Sequence, residues 1–85
     1  MSVSLTLFGT TACHLCEECL MLTRPLQGNG VRVQQVDIVD DPQLLERYQL
    51  RIPALRREDT GEELDWPFDL RQLMSWLGDS LDEEA

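Results

Sequence analysis

The feature that most constrains this chain is a pair of cysteines, Cys13 and Cys16, placed between a strand-like run and a helix-like pattern. Alternating apolar residues over 3–8 predict a short buried strand that ends at Gly9. Apolar residues at helical spacing follow over 15–26. A helix start offers unpaired backbone N–H groups and the positive end of the helix dipole, and both stabilise a thiolate. The junction therefore favours thiol chemistry.

The rest of the chain continues to alternate between strand-like and helix-like patterns. We predict, in order, a strand over 3–8, a helix over 15–26, a strand over 31–38, a short helix over 44–48, hairpin strands over 54–57 and 63–66, and a helix over 70–77. A strand, a helix and a strand in succession require a parallel pair joined by a right-handed crossover. This is an α/β pattern with one domain over 1–78, followed by an acidic tail over 79–85 for which we predict disorder.

Local signals refine the ends of the helices. Thr10 or Thr11 is expected to cap the first helix through its hydroxyl, and Pro25 is expected to kink or stop that helix. An aspartate cap at 40–41, followed by proline, is expected to start the second helix, and Gly78 to end the third. The buried face of the first helix is predicted to comprise Leu15, Cys19, Leu22 and Leu26.

Charge is distributed unevenly along the chain. It holds 16 acidic residues against seven arginines and no lysine, a formal net charge of −9, and residues 58–85 carry all of this excess. Such a surface repels nucleic acid and anionic membranes, so we expect neither as a partner. No apolar run approaches the roughly 18 residues of a membrane span, and no signal-like segment opens the chain. We therefore expect a monomeric cytoplasmic protein, in which a C-x-x-C pair is catalytic or metal-binding rather than structural.

The spacing of the two cysteines suits disulfide exchange. Residues three apart at a helix start have α-carbons about 5 to 6 Å apart, within the range that a disulfide accepts. We expect Cys13, at the helix tip, to be the exposed nucleophile and Cys16, one turn further on, to be the resolving thiol. His14 has two interpretations: an imidazole whose positive charge favours the Cys13 thiolate, or a side chain that only faces solvent.

A third cysteine, Cys19, extends the motif to C-x-x-C-x-x-C. This spacing also opens the ferredoxin-type iron–sulfur motif, but the fourth cysteine and the proline after it are absent. Cys19 shares a predicted helical face with leucines, where a free cysteine behaves as a small hydrophobic residue. We predict a buried structural thiol and no metal site. Two alternatives stay open, a second resolving thiol and a ligand to zinc or an iron–sulfur cluster together with Cys13 and Cys16.

A proline, Pro53, stands immediately before the third predicted strand, and from the residues alone its peptide bond is expected to be trans. The first strand, the Cys13–Cys16 pair at a helix start and Ile52–Pro53 together resemble the glutaredoxin-like branch of the thioredoxin superfamily, over about residues 3–78. The resemblance implies a three-layer fold, β-α-β-α-β-β-α, with a four-stranded mixed sheet. It also implies a cis Ile52–Pro53 bond that faces the cysteines across a substrate groove.

The resemblance further implies which residues line that groove. They are Thr11, Arg51, Ile52, Pro53 and Asp69. Backbone groups of Ile52 are expected to pair with a bound peptide or with glutathione as a short added strand. Arg51 is either the cation that holds a glutathione carboxylate or a solvated loop charge.

These observations predict a small thiol–disulfide oxidoreductase in which Cys13 attacks a disulfide and Cys16 resolves the mixed disulfide. No bound cofactor is expected, and glutathione is a candidate co-substrate. The expected partner is a disulfide-containing protein or glutathione. The alternative is a non-catalytic module, redox-responsive or partner-binding, that keeps the fold without the reductase activity.

Overall fold

The computed structural model describes residues 3–28 and 30–82, the last four of them through the backbone alone. Its elements are, in chain order, β1 (Val3–Gly9), α1 (His14–Gln27), β2 (Val31–Asp37), a 3-10 turn (Ile38–Asp40), α2 (Pro42–Tyr48), β3 (Ala54–Arg57), β4 (Glu63–Asp65) and α3 (Leu70–Asp82). The predicted order β-α-β-α-β-β-α is confirmed. The 3-10 turn is an addition to it, since the Asp37 carboxylate accepts a hydrogen bond from the Val39 N–H and so ends β2.

The four strands form one mixed sheet in the order β2-β1-β3-β4. Strand β1 is parallel to β2 and antiparallel to β3, and β3 is antiparallel to β4. This confirms the predicted four-stranded mixed sheet and makes β1 a central strand. The last residue of β1, Gly9, lies opposite Asp37 of β2. Because parallel strands share a direction, the ends of β1 and β2 meet at the edge of the sheet where α1 begins.

Helices cover both faces of the sheet, which confirms the three-layer arrangement. The larger core joins β1 and β3 to α1 and α3 and includes Leu5, Leu7, Leu55, Cys19, Leu26, Leu73 and Leu77. The smaller core lies on the opposite face, where the rings of Phe8 and Tyr48 stack with centroids 4.2 Å apart and join α2 to the central strand. No helix within the described ranges is long and apolar enough to cross a bilayer.

The start of α1 differs from the sequence-based expectation. The helix is capped by Cys13, whose sulfur accepts a hydrogen bond from the Cys16 N–H, rather than by Thr10 or Thr11. The buried face is displaced at this end, because Leu15 is 46% exposed while Cys16 is buried. The residues that α1 buries are Cys16, Cys19, Thr23 and Leu26, spaced three, four and three apart as one helical face requires.

Pro25 and Gly78 do not end the helices in which they lie, contrary to the prediction. Pro25 does not stop α1, which continues through it to Gln27, although a proline at this position removes one i→i−4 hydrogen bond from the helix. The prediction that Gly78 ends the third helix is also wrong, since α3 runs through it to Asp82. Of the predicted disordered tail, 79–82 continue the helix, and 83–85 lie outside the described residues. The domain boundary at residue 78 stays a prediction.

The second helix begins as expected. The Asp41 side chain accepts a hydrogen bond from the Gln43 N–H at 2.8 Å, and Pro42 occupies the first helical position. The N–H of the first helical residue has no acceptor within the helix. Proline, which lacks this N–H, therefore loses no helical hydrogen bond there and is favoured.

Replacing Gly78 with alanine tests the continuity of α3. No atom lies within 4 Å of a Cβ built at this position, and its backbone is not left-handed. We expect Gly78→Ala to raise the free energy of unfolding by up to about 1 kcal/mol, because alanine is the better residue inside a helix. Chemical denaturation measures this change. A helix that ended at Gly78 in a left-handed cap would instead lose stability on the same substitution.

Candidate redox site at the start of the first helix

The site is built where β1 ends and α1 begins. Cys13 is partly exposed at the cap of the helix, and Cys16 is buried one turn further on. Their α-carbons are 5.2 Å apart, within the predicted range, and the two sulfurs form a disulfide. Cys13 is thus the more accessible of the two, and the roles of Cys13 as nucleophile and Cys16 as resolving thiol stay predictions.

The helix start supplies a donor to the outer sulfur. The Cys16 backbone N–H points at Cys13 Sγ with a nitrogen–sulfur distance of 3.1 Å, and the Glu17 N–H bonds the Cys13 carbonyl at 3.1 Å. Hydrogen bonds from N–H groups and the positive end of the helix dipole both favour a negative charge at this position. The geometry is therefore suited to a thiolate at Cys13 once the disulfide is reduced.

The loop that carries Cys13 is held by a contact that the sequence analysis missed. The Thr11 hydroxyl donates to Asp37 Oδ2 at 3.0 Å, while Asp37 Oδ1 accepts from the Val39 N–H at 3.0 Å. Ala12, directly before Cys13, has a φ of 60°, a conformation that costs a residue with a side chain about 1 kcal/mol or more. The sequence feature that could have predicted the Thr11–Asp37 contact is the parallel pairing of β1 with β2, which brings Asp37 beside Gly9.

A cleft of about 390 Å³ opens beside the disulfide. Its walls include both cysteines, the hydroxyls of the loop before them, and the apolar side chains Leu7, Leu20 and Val36. Two carboxylates, Glu17 and Asp37, also line it, and the residues described around it include no arginine or histidine. The lining of the cleft thus combines polar and negatively charged groups with apolar side chains.

The two interpretations of His14 can be compared with its surroundings. The imidazole is 85% exposed, and its Nε2 lies 3.7 Å from Glu18 Oε2 on the next turn of α1. This arrangement favours the solvent-facing interpretation, because the ring is directed along the helix surface toward Glu18.

Cys19 lies in the larger core with no solvent exposure. Burial raises the pKa of its thiol to about 12. Such a thiol stays protonated at neutral pH, so it is a poor nucleophile and a poor metal ligand. This supports the buried structural thiol over the other two interpretations. Across the described residues, no group of three or more cysteine, histidine or acidic side chains is placed to hold a metal ion.

Ile52 and Pro53 lie between α2 and β3. The Ile52–Pro53 peptide bond is cis, and so is Trp66–Pro67, which no sequence signal indicated. The Pro53 carbonyl accepts a hydrogen bond from the Trp66 N–H at 3.1 Å, which fixes Pro53 to the chain after β4. In the part of the fold that the structure describes, the backbone N–H and C=O of Ile52 have no hydrogen-bond partner. They are the groups predicted to pair with a bound peptide.

Arg51 is committed to partners within the fold. Its guanidinium bonds Asp65 through two nitrogens, at 3.2 and 2.9 Å, and Glu63 at 2.8 Å. It also lies over the Tyr48 ring, 5.0 Å from the centroid. The hydrogen bonds to Asp65 and Glu63 raise the pKa of Arg51 above its ordinary value. Arg51 is therefore not a solvated loop charge, and its predicted role toward glutathione would require these ion pairs to open.

Glu63 is the centre of this network. The buried Tyr48 hydroxyl donates to Glu63 Oε2, and Arg47 lies 3.6 Å from Glu63 Oε1. Desolvation, followed by the bond to Glu63, raises the pKa of Tyr48. Desolvation acts to raise the pKa of Glu63, but the bonds from Tyr48 and Arg51 outweigh it and lower that pKa. The network thus ties α2 and the segment before Pro53 to β4.

Asp69, the last of the predicted groove residues, caps α3. Its Oδ1 accepts from the Gln72 N–H at 2.8 Å, and Gln72 Oε1 accepts from the Asp69 N–H at 2.9 Å. This reciprocal pair is a capping box. Its place in the groove stays a prediction, and one carboxylate oxygen is already engaged in the fold.

Known structures share this architecture. The X-ray structure of the structural genomics target XcR50 from X. campestris is 40% identical, with 88% of this chain and 96% of that chain covered and a TM-score of 0.77. Protein Ne2328 from Nitrosomonas europaea is 26% identical, with 89% and 92% covered and a TM-score of 0.77. Thioredoxin 1 from Thermosipho africanus, 13% identical with 95% and 97% covered, shares the fold at a TM-score of 0.70.

The family comparison covers nearly the whole described chain. No curated protein matches the sequence. Residues 4–78, which include the cysteine pair and the Ile52–Pro53 bond, match the family described as "Glutaredoxin-like domain (DUF836)". Together with the thioredoxin fold and the Cys13–Cys16 pair, this match indicates a redox function. The chain belongs to the glutaredoxin-like domain family.

Proposed function

We propose that this protein is a thiol–disulfide oxidoreductase that reduces disulfides in proteins. The observation that carries the proposal is the disulfide between the partly exposed Cys13, at the cap of α1, and the buried Cys16. A dithiol of this kind acts where thiols are kept reduced, so the proposal includes a cytoplasmic location. It requires no bound cofactor and no second subunit.

The reaction proceeds in two exchanges. The Cys13 thiolate attacks one sulfur of the substrate disulfide, forms a mixed disulfide and releases the other substrate sulfur as a thiolate that takes up a proton. The deprotonated Cys16 then attacks Cys13 Sγ, which forms the internal disulfide and releases the second substrate thiol. The substrate disulfide gains two electrons and the protein dithiol loses them. A thiol reductant returns the protein to its dithiol form.

The substrate backbone is proposed to bind at Ile52. Its N–H and C=O make no bond within the described fold, while the neighbouring Pro53 carbonyl is already engaged. An extended peptide can pair with such groups as a short added strand. This mode of binding favours a disulfide within a flexible segment of a protein.

Electrostatics favour a protein disulfide over glutathione. Glutathione is anionic, whereas the cleft beside the cysteines holds Glu17 and Asp37 and the whole chain carries a net charge of −9. Arg51, the predicted carboxylate-binding cation, is occupied by Glu63 and Asp65. We therefore propose that neutral or positively charged surroundings of the disulfide promote the reaction.

Cysteine variants test the two-step mechanism. With insulin as the protein disulfide and dithiothreitol as the reductant, Cys13→Ser should reduce turnover to the uncatalysed rate. Cys16→Ser should stop at the mixed disulfide, which mass spectrometry detects as a covalent adduct. Cys19→Ala, which removes a thiol outside the reaction, should retain turnover. A wild-type protein no faster than Cys13→Ser would contradict the proposal and leave the non-catalytic module as the function.

Small disulfides matched in length test the charge preference. Reduced protein is mixed with cystamine, hydroxyethyl disulfide or dithiodipropionate, and the rate of each reaction is measured. Each rate is divided by the rate at which dithiothreitol reduces the same disulfide, which removes differences in the intrinsic reactivity of the three disulfides. At low salt we expect the cationic disulfide to be preferred over the anionic one by about tenfold, and the preference to shrink at high salt.

A pair of matched variants tests whether Glu17 is responsible for this charge preference. Glu17→Gln should reduce the preference more than Glu46→Gln, which removes an exposed carboxylate from α2. Equal normalised rates for the three disulfides would contradict the proposed charge preference.

A further inference from the structure

The last residue of β1 lies directly against the sulfur of Cys16. A Cβ built on Gly9 would be 2.7 Å from Cys16 Sγ and 3.2 Å from Cys16 Cβ. Non-bonded carbon and sulfur atoms do not approach this closely, so any side chain at Gly9 requires one of the two groups to move. Gly28, by contrast, has nothing within 4 Å of an added Cβ.

Neither the backbone of Gly9 nor its environment offers an easy way to relieve this contact. Gly9 lies at the end of the central strand, paired with Asp37 of β2, and the adjacent Phe8 is paired with Ala54 of β3. Cys16 is buried, with 8% of its surface exposed, and in the disulfide its sulfur is held by the bond to Cys13. The φ of Gly9 is not in the left-handed region, so an alanine there is opposed by the contact and not by its own backbone conformation.

The contact acts differently on the two redox forms. In the disulfide, Cys16 Sγ is bonded to Cys13 and its position is fixed by that bond. In the dithiol, the Cys16 side chain is free to rotate about χ1 to another staggered position, which takes the sulfur away from residue 9. A methyl group at position 9 therefore opposes the oxidised form more than the reduced form.

We infer that Gly9 is a positioning residue that sets the reduction potential of the Cys13–Cys16 couple, by leaving room behind the Cys16 sulfur in the disulfide. The inference rests on the proposed redox function of this pair. In this couple, the disulfide takes up two electrons and two protons and becomes the two thiols. A side chain at residue 9 shifts this equilibrium toward the thiols and makes the protein a weaker reductant.

Redox equilibria of Gly9→Ala and Gly28→Ala test the inference. Each protein is equilibrated with mixtures of reduced and oxidised dithiothreitol, its thiols are trapped, and the oxidised fraction is read by mass spectrometry. We expect Gly9→Ala to shift the equilibrium constant about tenfold toward the dithiol, a rise of about 30 mV in reduction potential. Gly28→Ala should match the wild type. A Gly9→Ala potential equal to that of the wild type would overturn the inference.

A double-mutant cycle keeps the test decisive when Gly9→Ala fails to fold. Cys16→Ala removes the sulfur that the new methyl group meets, so Gly9→Ala should lower the midpoint of chemical unfolding much less in that background than in the oxidised wild type. An equally large loss in both backgrounds, or failure to fold in both, would show that the sulfur is not the opposing group. The potential is measured without any substrate, so a defined potential with no turnover would contradict only the proposed function.

Discussion

The hydrogen bond from the Cys16 N–H to the Cys13 sulfur is the interaction on which the site depends. It exists because α1 begins at His14, one residue after the outer cysteine, so that the sulfur takes the place that a serine or aspartate oxygen occupies at an ordinary helix cap. The same geometry leaves Cys13 at the surface and brings Cys16 under the first turn. One local arrangement thus assigns different environments to two chemically identical side chains.

The sheet holds this arrangement in place. Parallel pairing of β1 with β2 brings Asp37 beside the end of β1, where it binds Thr11 and the turn that follows β2. On the other side of the protein, Tyr48, Arg51 and Glu63 tie α2 and the segment before Pro53 to β4. Most of these polar groups are partly exposed, so each contributes modestly to stability. Their main effect is to hold the loop before α1 and the segment before Pro53 to neighbouring strands of the sheet.

The four-stranded mixed sheet was implied by the family resemblance, whereas periodicity and spacing were enough to predict the order of the elements and the spacing of the cysteine pair. Each depends on residues near one another in the chain, such as the alternation over 3–8 or the three-residue step from Cys13 to Cys16. The cap of α1 was missed because threonine is the more frequent cap, and sequence alone does not show which loop residue takes that position. The stop at Gly78 was wrong because this glycine does not adopt the left-handed conformation of a helix cap, and inside a helix a glycine costs only about 1 kcal/mol.

Contacts between distant residues account for what could not be predicted. Arg51 finds its partners on β4, twelve and fourteen positions away, and Thr11 finds Asp37 across 26 positions. Such pairs depend on the register of the strands, and the apolar pattern does not define that register to within one residue. The room that Gly9 leaves for Cys16 is of the same kind, because it becomes visible only when β1 and α1 are packed together.

We expect the start of α1 to make Cys13 an accessible thiol that readily carries negative charge. Alkylation of the reduced protein by iodoacetamide at pH 6.5, with the modified cysteine identified by mass spectrometry, tests it most directly. An ordinary thiol is only about 1% thiolate at that pH, so we predict labelling of Cys13 at least about tenfold faster than of free cysteine, with Cys19 unlabelled. Labelling of Cys13 no faster than free cysteine, or of Cys16 first, would contradict the account.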